Sequence, residues 1–259
     1  MVTRDTPWPD GTPCWVDLGT PDIPKAISFY SRQFGWDIPI GAPEFGGYSS
    51  ALLDGRQAVG IGPLTGPPGT PSAWTTYIAT SDADATADTI KGAGGQLLTE
   101  LMEVADLGRM AIAADITGAV FGLWQARAHS GAKVANVPGA VAWNEHMSSD
   151  FEGAKAFYAA VFGYEYGDMS SDGFSYATLL IEGKEVGGIG AFPGGPDAGH
   201  SPFWSVYFGA ADTDQAVETA TAAGGRVIRP ASDSPYGRMA VVADNQGAVF
   251  SLIALSAGE

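Results

Sequence analysis

The spacing of hydrophobic residues in the first part of the chain changes from a strand pattern to a helix pattern. Residues 15–18 form a short run that predicts a strand. In the next segment, 23–34, apolar residues recur at intervals of four, which predicts an amphipathic helix. Asp22 or Thr20 is suited to cap its first turn, and Gly35 lies where a helix commonly ends.

The residues that follow this helix predict further strands, a second helix and a final hairpin. Asp54-Gly55 lies between two β-type runs, and this dipeptide is typical of a tight hairpin turn. The predicted elements are strands at 48–53, 57–61 and 74–79, a helix at 83–93, and a hairpin formed by 111–113 and 120–124. We therefore expect an α+β fold.

The same landmarks return in the second half of the chain, displaced by 128 to 130 residues. The repeated landmarks are Phe29-Tyr30 and Phe157-Tyr158, Phe34-Gly35 and Phe162-Gly163, Tyr48 and Tyr176, Gly94-Gly95 and Gly224-Gly225, and the triplets Gly108-Arg109-Met110 and Gly237-Arg238-Met239. Landmarks that keep their order over most of a chain indicate a duplicated unit. We predict a first module at 1–126, a linker at 127–139 and a second module at 140–259.

Composition and charge limit the partners of this chain. Of the 259 residues, 45% are hydrophobic and 16% are charged, which excludes disorder caused by excess charge. Lys and Arg number 13 against 29 Asp and Glu, a formal net charge of −16, so nucleic acid and an anionic membrane are poor partners. The negative charge either attracts a cationic ligand or serves only to keep the surface solvated.

The cysteine content and the apolar runs add two further expectations. Cys14 has no second cysteine to pair with, and its neighbours Pro13 and Trp15 favour a small core residue over a nucleophile. The sequence contains no apolar run of signal-peptide or membrane-spanning length. We therefore expect a cytoplasmic protein.

Each copy contains a strand, a helix that ends in Phe-Tyr and Phe-Gly, further strands, and an Asp-x-x-Gly turn before the last strand. This order resembles the vicinal oxygen chelate superfamily, which includes glyoxalase I, extradiol dioxygenases, fosfomycin resistance enzymes and bleomycin resistance proteins. The duplicated form is similar to the two-module culture-filtrate antigens of actinobacteria. The resemblance implies two tandem βαβββ-type modules that pair to form curled mixed sheets around a cleft.

The resemblance also locates the positions where metal enzymes of the superfamily hold their ligands. These positions, on the first and last strands, fall on Trp15, Trp143, Gly122 and Ser251. An indole offers only an N–H donor, glycine has no side chain, and a lone neutral hydroxyl cannot replace carboxylates or imidazoles. We therefore predict neither a metal nor another cofactor.

Asp17 and Glu145 each follow one of the two tryptophans by two residues and so point to the same face of their strands. They are candidates for a shifted metal site, for a general base with its orienting partner, or for ordinary hydrogen-bonded carboxylates. One arrangement that this allows is a cleft that both carboxylates face. His146 should point away from Glu145, while His129 and His200 fall in the linker and in a loop.

Aromatic side chains take the place of metal ligands in this interpretation. Trp15 and Trp143 are suited to stack on a planar aromatic ligand, while the nearby carboxylates attract an amine on it. Alternatively, the seven tryptophans fill the core, and for Trp74, Tyr77, Trp204 and Tyr207 core and cleft are equally open. The predicted ligand-binding residues are Trp15, Asp17, Tyr48, Trp74, Met110, Trp143, Glu145, Tyr176, Trp204 and Met239.

The repeated arginines and the proline-rich loops complete the predicted site. Arg109 and Arg238 are expected to pair with carboxylates at a seam between the modules rather than to bind an anionic ligand. Proline-rich loops at 63–71 and 193–202 occupy equivalent positions in the two copies, and we expect them to form rims of the cleft.

The leading functional hypothesis is a metal-independent binding protein of natural-product resistance or biosynthesis, which holds a planar aromatic, in some cases cationic, compound in an apolar cleft. The alternatives are a metal-dependent lyase, isomerase or dioxygenase, and a metal-free catalyst or hydroxylation accessory that uses the cleft carboxylates. A secreted interaction protein follows only from the likeness to the antigens. We expect a monomer or homodimer whose partner is a small aromatic molecule.

Overall fold

The computed structural model describes residues 2–66, 69–171, 173–192, 199 and 201–254, and this part of the chain contains two eight-stranded mixed sheets. The helices are α1 Ile23–Phe34, α2 Ala83–Gly92, α3 Phe151–Phe162 and α4 Thr213–Ala222. In the first half the strands are β1 Val2–Thr3, β2 Pro13–Thr20, β3 Ser49–Leu53, β4 Arg56–Pro63, β5 Ala73–Ala79, β6 Gln96–Leu97, β7 Met102–Val104, β8 Gly108–Ala114 and β9 Val120–Ala126. In the second half they are β10 Val134–Ala135, β11 Val141–Ser148, β12 Glu165–Asp168, β13 Tyr176–Ile181, β14 Lys184–Ala191, β15 Phe203–Ala210, β16 Arg226–Ser234, β17 Gly237–Ala243 and β18 Val249–Ala254.

Each large sheet is built from the strands of one repeat. The strand order is β3-β4-β2-β5-β9-β8-β6 in module 1, with β7 also paired to β8, and β12-β13-β14-β11-β15-β18-β17-β16 in module 2. A strand, a helix and further strands occur twice within each module, and the two occurrences meet at the antiparallel pairs β2–β5 and β11–β15. The predicted α+β fold of two tandem modules is confirmed.

Short polar signals in the sequence determine where the helices and turns lie. The Asp22 carboxylate accepts a hydrogen bond from the backbone N–H of Lys25 (3.0 Å), which satisfies a donor of the first turn of α1. Gly35 ends the same helix with φ = 71°, in the left-handed region where glycine is favoured. In the β3–β4 hairpin, Asp54 and Gly55 both have positive φ (49° and 76°), as a type I′ turn requires.

The two sheets pack on each other through the faces that carry the helices. One hydrophobic cluster contains Tyr30 and Trp74 of module 1 together with Phe208 and Phe250 of module 2. A second cluster likewise joins residues around α2 with residues around α3. The helix faces are therefore shared, and the opposite face of each sheet, called here its cleft face, is directed away from the other module.

Buried hydrogen bonds also join the modules. The Tyr30 hydroxyl donates to Asp244 (3.0 Å), and the Thr76 hydroxyl donates to Asn144 (2.8 Å). His146 Nε2 lies 2.8 Å from Asp115 Oδ2, and neither side chain is exposed. These bonds make the two modules one packed unit.

The helices of the described residues have 10 to 12 residues each, and none has the length and apolar character needed to cross a membrane.

Candidate functional site

The cleft face of module 2 carries a hydrogen-bonded group of aromatic and carboxylate side chains. Trp143, Tyr207 and Ser251 are register neighbours on β11, β15 and β18, so they form a row across the sheet. The Tyr207 hydroxyl donates to Glu145 Oε1 (2.9 Å), and Trp143 Nε1 donates to the Tyr176 hydroxyl (3.1 Å). Because Trp143, Glu145 and Tyr207 are partly exposed, the group is accessible from the cleft.

Burial controls the protonation of the module 2 carboxylate. It raises the pKa of Glu145 above the usual value, while hydrogen bonds from Tyr207 and Tyr176 and the charge of Arg229 act in the opposite direction. Burial and the neighbouring carboxylate also raise the pKa of the Tyr176 and Tyr207 hydroxyls, so both remain donors at neutral pH. The arrangement places one hydrogen-bonding acid among aromatic rings.

Module 1 contains the same group at equivalent positions. Trp15 Nε1 donates to the Tyr48 hydroxyl (3.0 Å), and the Tyr48 hydroxyl donates to Asp17 Oδ2 (3.3 Å). Burial raises the pKa of Asp17 to about 7, although hydrogen bonds from Tyr77 and Tyr48 oppose this rise. Tyr77 is the register neighbour of Trp15, so it has the place that Tyr207 has in module 2.

Glycines in the repeated glycine-rich strand allow each tyrosine to lie close to the sheet. A Cβ on Gly60 would lie 1.9 Å from the Tyr48 hydroxyl oxygen, and one on Gly188 would lie 2.0 Å from that of Tyr176. Any side chain at either position would displace the ring, because real Cβ contacts are much longer. The glycine-rich run therefore serves ring packing, which explains its repetition without a phosphate ligand.

The two cleft faces differ in how far they are covered. In module 1 the linker crosses the face, and the His129 ring lies edge-on to Trp15 at 4.5 Å and near Trp124 at 5.4 Å. Trp15 and Tyr77 are consequently only 5% exposed. The equivalent residues of module 2, Trp143 and Tyr207, are partly exposed. Among the described residues, the indole of this group is therefore accessible in module 2 and covered in module 1, where only Asp17 and Tyr48 are partly exposed.

Two of the predicted ligand-binding residues lie on the helix face and not in a cleft. Trp74 Nε1 donates to the Tyr30 hydroxyl (3.1 Å), and Trp204 Nε1 donates to the Tyr158 hydroxyl (2.8 Å). Both indoles are buried in the shared core. The spacing contains the signal: Tyr77 follows Trp74 by three residues, and an odd separation along a strand places two side chains on opposite faces.

The predicted methionines lie near the aromatic groups, but in different surroundings. Met110 packs in the covered cluster of module 1 with Trp15, Tyr77 and Trp124. Met239 lies on β17, three residues before the buried Val242, so the two side chains point to opposite faces of the sheet. Met239 is therefore on the cleft face of module 2, where it is partly exposed.

The structure does not bring Asp17 and Glu145 together. Each carboxylate faces the cleft of its own module, and the two cleft faces lie on opposite sides of the shared core. A general base and an orienting carboxylate therefore cannot be drawn from this pair. The physical reason is that each repeat forms a complete sheet by itself, so equivalent residues are separated rather than paired.

The repeated arginines pair within their own modules and not at the seam, which corrects that expectation. Arg109 forms an ion pair with Asp84 (2.6 Å), and Arg238 forms one with Asp214 (2.6 Å). Each acid lies in the first turn of the helix that follows β5 or β15. Of the expected cleft rims, residues 67–68, 193–198 and His200 lie outside the described residues.

Sequence reasoning missed the role of His129 entirely. The segment around it consists of small and polar residues, which is typical of an exposed linker and gives no sign of docking. His146 points away from Glu145 as predicted. Its partner Asp115 belongs to the other module, and no spacing in the sequence indicates that the two side chains meet.

The donor set of the cleft faces does not fit a metal centre. The row in module 2 offers an indole, a phenol and a serine hydroxyl, and the row in module 1 has Gly122 in place of the serine. Glu145 is the carboxylate nearest the row in module 2, and tyrosine hydroxyls already bind it. Within the described residues, no three His, Cys, Asp or Glu side chains are grouped to hold a metal ion. Divalent metals need several such ligands.

The fold and this arrangement define a two-module member of one superfamily. A sequence model of the Glyoxalase/Bleomycin resistance protein/Dioxygenase superfamily matches residues 14–123 and 141–252. The chain belongs to this superfamily.

Similar proteins cover nearly the whole chain. A Mycobacterium bovis protein named "Putative glyoxylase CFP32" is 42% identical over 253 residues, which are 94% of each chain. The anthracycline biosynthesis protein DauV of Streptomyces sp. (strain C5) is 35% identical over 268 residues, covering 98% of this chain and 96% of its own. Among solved structures, the Mn(II)-bound glyoxalase from Novosphingobium aromaticivorans has a TM-score of 0.67 at 14% identity, covering 95% of this chain and 82% of its own. At this identity the match concerns the fold alone.

Proposed function

We propose that the chain is a metal-independent small-molecule binding protein of natural-product biosynthesis or resistance, and that a planar aromatic compound binds on the cleft face of module 2. The observation that carries the proposal is the partly exposed Trp143, held by Tyr176 at a position where metal enzymes of the superfamily have a ligand. A fixed indole face is a favourable surface for a second flat ring, since aromatic pairs gain about 0.5–1.5 kcal/mol beyond their buried area.

The space beside Trp143 supports binding of a small molecule. A cavity of about 300 Å³ lies next to this indole, and its lining also includes Arg4, Trp8, Lys184 and Glu185 but not Glu145, Tyr176 or Tyr207. Small-molecule sites commonly begin at about this volume. The cavity therefore adjoins the proposed stacking surface and does not contain the acid of the module 2 group.

Charge supports an amine on the ligand. Glu145 is the acid of the module 2 group, and the chain carries a formal net charge of −16. Although burial raises the pKa of Glu145, an approaching ammonium group would favour its ionised form. The acid would then anchor one end of the ligand while Trp143 contacts its ring.

Two relatives indicate the chemical class. DauV and the Streptomyces peucetius protein DnrV are both named anthracycline biosynthesis proteins and are each 35% identical to this chain. Anthracyclines are planar polycyclic aromatic compounds, so their chemistry matches a stacking surface. We carry over the compound class to this chain as part of the proposal.

Titration with an amine-bearing anthracycline, followed by quenching of tryptophan fluorescence and by calorimetry, tests this function. Trp143→Ala should weaken binding roughly ten-fold, which corresponds to about 1.4 kcal/mol. Trp15→Ala is the matched control, because this indole makes the same bond to a tyrosine but lies under His129; it should leave the affinity unchanged.

A further comparison separates stacking from charge. Glu145→Gln should weaken binding of the amine-bearing compound more than binding of the neutral aglycone. Equal affinity of the wild type and Trp143→Ala, or equal losses in the two tryptophan variants, would contradict the proposed site.

A further inference from the structure

The segment that covers the cleft face of module 1 is fixed at both ends. On one side, the backbone N–H of His129 donates to the Leu107 carbonyl (3.1 Å), and Arg127 pairs with Glu103 (2.6 Å). On the other side, the backbone N–H of Ala132 donates to the Cys14 carbonyl (2.8 Å). We call residues 127–133 the cover segment. It is docked along its length and is not a loose connection.

The middle of the cover segment approaches the sheet very closely. Gly131 has φ = +95°, and a Cβ there would lie 2.5 Å from the Cys14 carbonyl oxygen. Ser130 and Ala132 on either side are 6% and 7% exposed. Glycine at this point is therefore required both for the backbone conformation and for contact with β2.

The His129 ring packs against two indoles on the cleft face of module 1. Its imidazole forms a T-shaped pair with Trp15, with ring centroids 4.5 Å apart and planes at 86°, and it also contacts Trp124 at 5.4 Å. These distances are those of favourable aromatic pairs. The backbone carbonyl of His129 accepts from Trp124 Nε1 (2.9 Å), so the same residue satisfies the second indole as well.

Below His129 the aromatic group of module 1 is complete. Trp15, Tyr48, Asp17 and Tyr77 form the same network as their equivalents in module 2. Because the His129 ring packs against Trp15 and Trp124, its removal would leave unfilled space beside these two indoles. A separate cavity of about 210 Å³ next to the cover segment is lined by Trp8, Cys14, Trp124 and Ser130, among others, but not by His129, Trp15 or Tyr77.

We propose that the cleft face of module 1 is a second binding site, for a planar uncharged heteroaromatic ring, and that the chain keeps it closed with the imidazole of its own His129. The cover segment acts as an internal ligand over Trp15 and Tyr77, whereas among the described residues the equivalent pair of module 2, Trp143 and Tyr207, is partly exposed. The argument depends on module 1 contacts only, and its test uses a different probe from the anthracycline titration. Either proposal can consequently fail without the other.

The charge state of His129 agrees with an uncharged ring in this site. Burial lowers the pKa of His129 to about 4, and the charge of Lys133 acts in the same direction. The imidazole is therefore neutral at neutral pH. A neutral flat ring therefore fits beside Trp15 and Trp124, whereas the amine proposed for the module 2 ligand is assigned to Glu145.

Binding of free imidazole to His129→Ala tests the proposal. The substitution removes the ring but keeps the backbone of the cover segment, and the probe restores the missing group. At a pH of roughly 8, where imidazole is largely neutral, we expect saturable binding of one equivalent with a dissociation constant on the order of 1 mM. Binding should change tryptophan fluorescence and raise the midpoint of thermal unfolding.

Three variants serve as controls. Wild type and His129→Phe retain a ring in the site and should not respond to imidazole, whereas His129→Ala combined with Trp15→Ala should lose the response. His129→Ala combined with Trp143→Ala should keep it, since Trp143 lies in the other module. A His129→Ala chain that neither binds imidazole nor is stabilised by it, or a His129→Phe chain that responds equally, overturns the proposal.

Discussion

At the residue scale, Asp17 shows how burial alone changes the chemistry of a side chain. Its carboxyl lies in the aromatic group of module 1, where burial raises its pKa to about 7. An aspartate in an unfolded chain has a pKa of about 3.9. The folded protein therefore retains a proton that the unfolded chain releases as the pH rises from about 4 to about 7. Stability decreases over this interval and then remains at the lower level.

Asp17→Asn should remove this dependence, because the amide resembles the protonated acid and has no charge to bury. Each unit of pKa difference corresponds to about 1.4 kcal/mol. Allowing for the partial exposure of Asp17, we expect the variant to gain roughly 1–3 kcal/mol relative to wild type between about pH 4 and pH 8. Denaturant unfolding at several pH values measures the difference. A gap that is the same at every pH would mean that the pKa of Asp17 does not differ between the folded and unfolded states.

At the element scale, the last strand of each module controls the position of a tyrosine. In module 1, Gly122 on β9 lies directly below Tyr77, and a Cβ there would lie 2.1 Å from its ring. In module 2, Ser251 on β18 has the equivalent place beside Tyr207. The ring in module 1 thus lies closer to the sheet, which leaves room for the cover segment above it.

The substitution Gly122→Ser should force the Tyr77 ring towards the cover segment and destabilise the protein by roughly 1–3 kcal/mol, as overpacking usually does. The reciprocal Ser251→Gly is the matched control and should cost no more than about 1 kcal/mol, since it creates no clash. Denaturant unfolding gives both values, and a crystal structure of Gly122→Ser locates the ring. Similar costs for the two variants would contradict this account of the tyrosine.

The sequence predicts those helices and strands whose caps, turns or hydrophobic periodicity lie within the segment itself. Helix α1 has the predicted bounds because Asp22 caps it and Gly35 ends it, both within the segment itself. The edge strands β6, β7, β12 and β16 were missed, because a strand at an edge needs no alternation of apolar and polar residues. In β16, for example, every residue is exposed or partly exposed.

Features of the site that depend on distant parts of the chain could not be predicted in the same way. The aromatic residues Trp15 and Trp143 follow from the repeat and lie on the cleft faces. Nothing in the sequence near His129 indicates that it will contact Trp15, more than 100 residues away. A single sequence contains periodicity within elements but no record of which surfaces dock.

At the scale of the whole molecule, the seam between the modules is nearly but not fully symmetric. Asp115 and Asp244 occupy equivalent turns, and each accepts a hydrogen bond from a tyrosine of the other module. Asp115 has an additional partner, His146, whose equivalent in module 1 is Leu18. Burial opposes the charge on Asp115, but hydrogen bonds from His146 and Thr117 outweigh it and hold its pKa below the usual value.

We expect His146→Leu to cost less than about 2 kcal/mol, because it copies the arrangement around Asp244, where leucine packs and the carboxylate keeps its other donors. Asp115→Ala should cost about 3–5 kcal/mol, since it breaks a fully buried pair and leaves several donors without an acceptor. Both variants should unfold in one transition in calorimetry, as the modules share their core. Equal costs, or separate transitions, would show that the seam is not built in this way.

The segment that covers module 1 is also the connection between the two modules. The connection that leaves β9 must reach β11 in the other sheet, and it does so across the face of the module it has just completed. The order of the modules therefore decides which cleft face the connection crosses, while the contacts that hold it there belong to module 1. If the order of the two modules were exchanged, the connection would follow β18, where Ile253 has the place of Trp124 and offers no indole N–H to the His129 carbonyl. The connection of a tandem fusion can thus give two similar copies different surroundings.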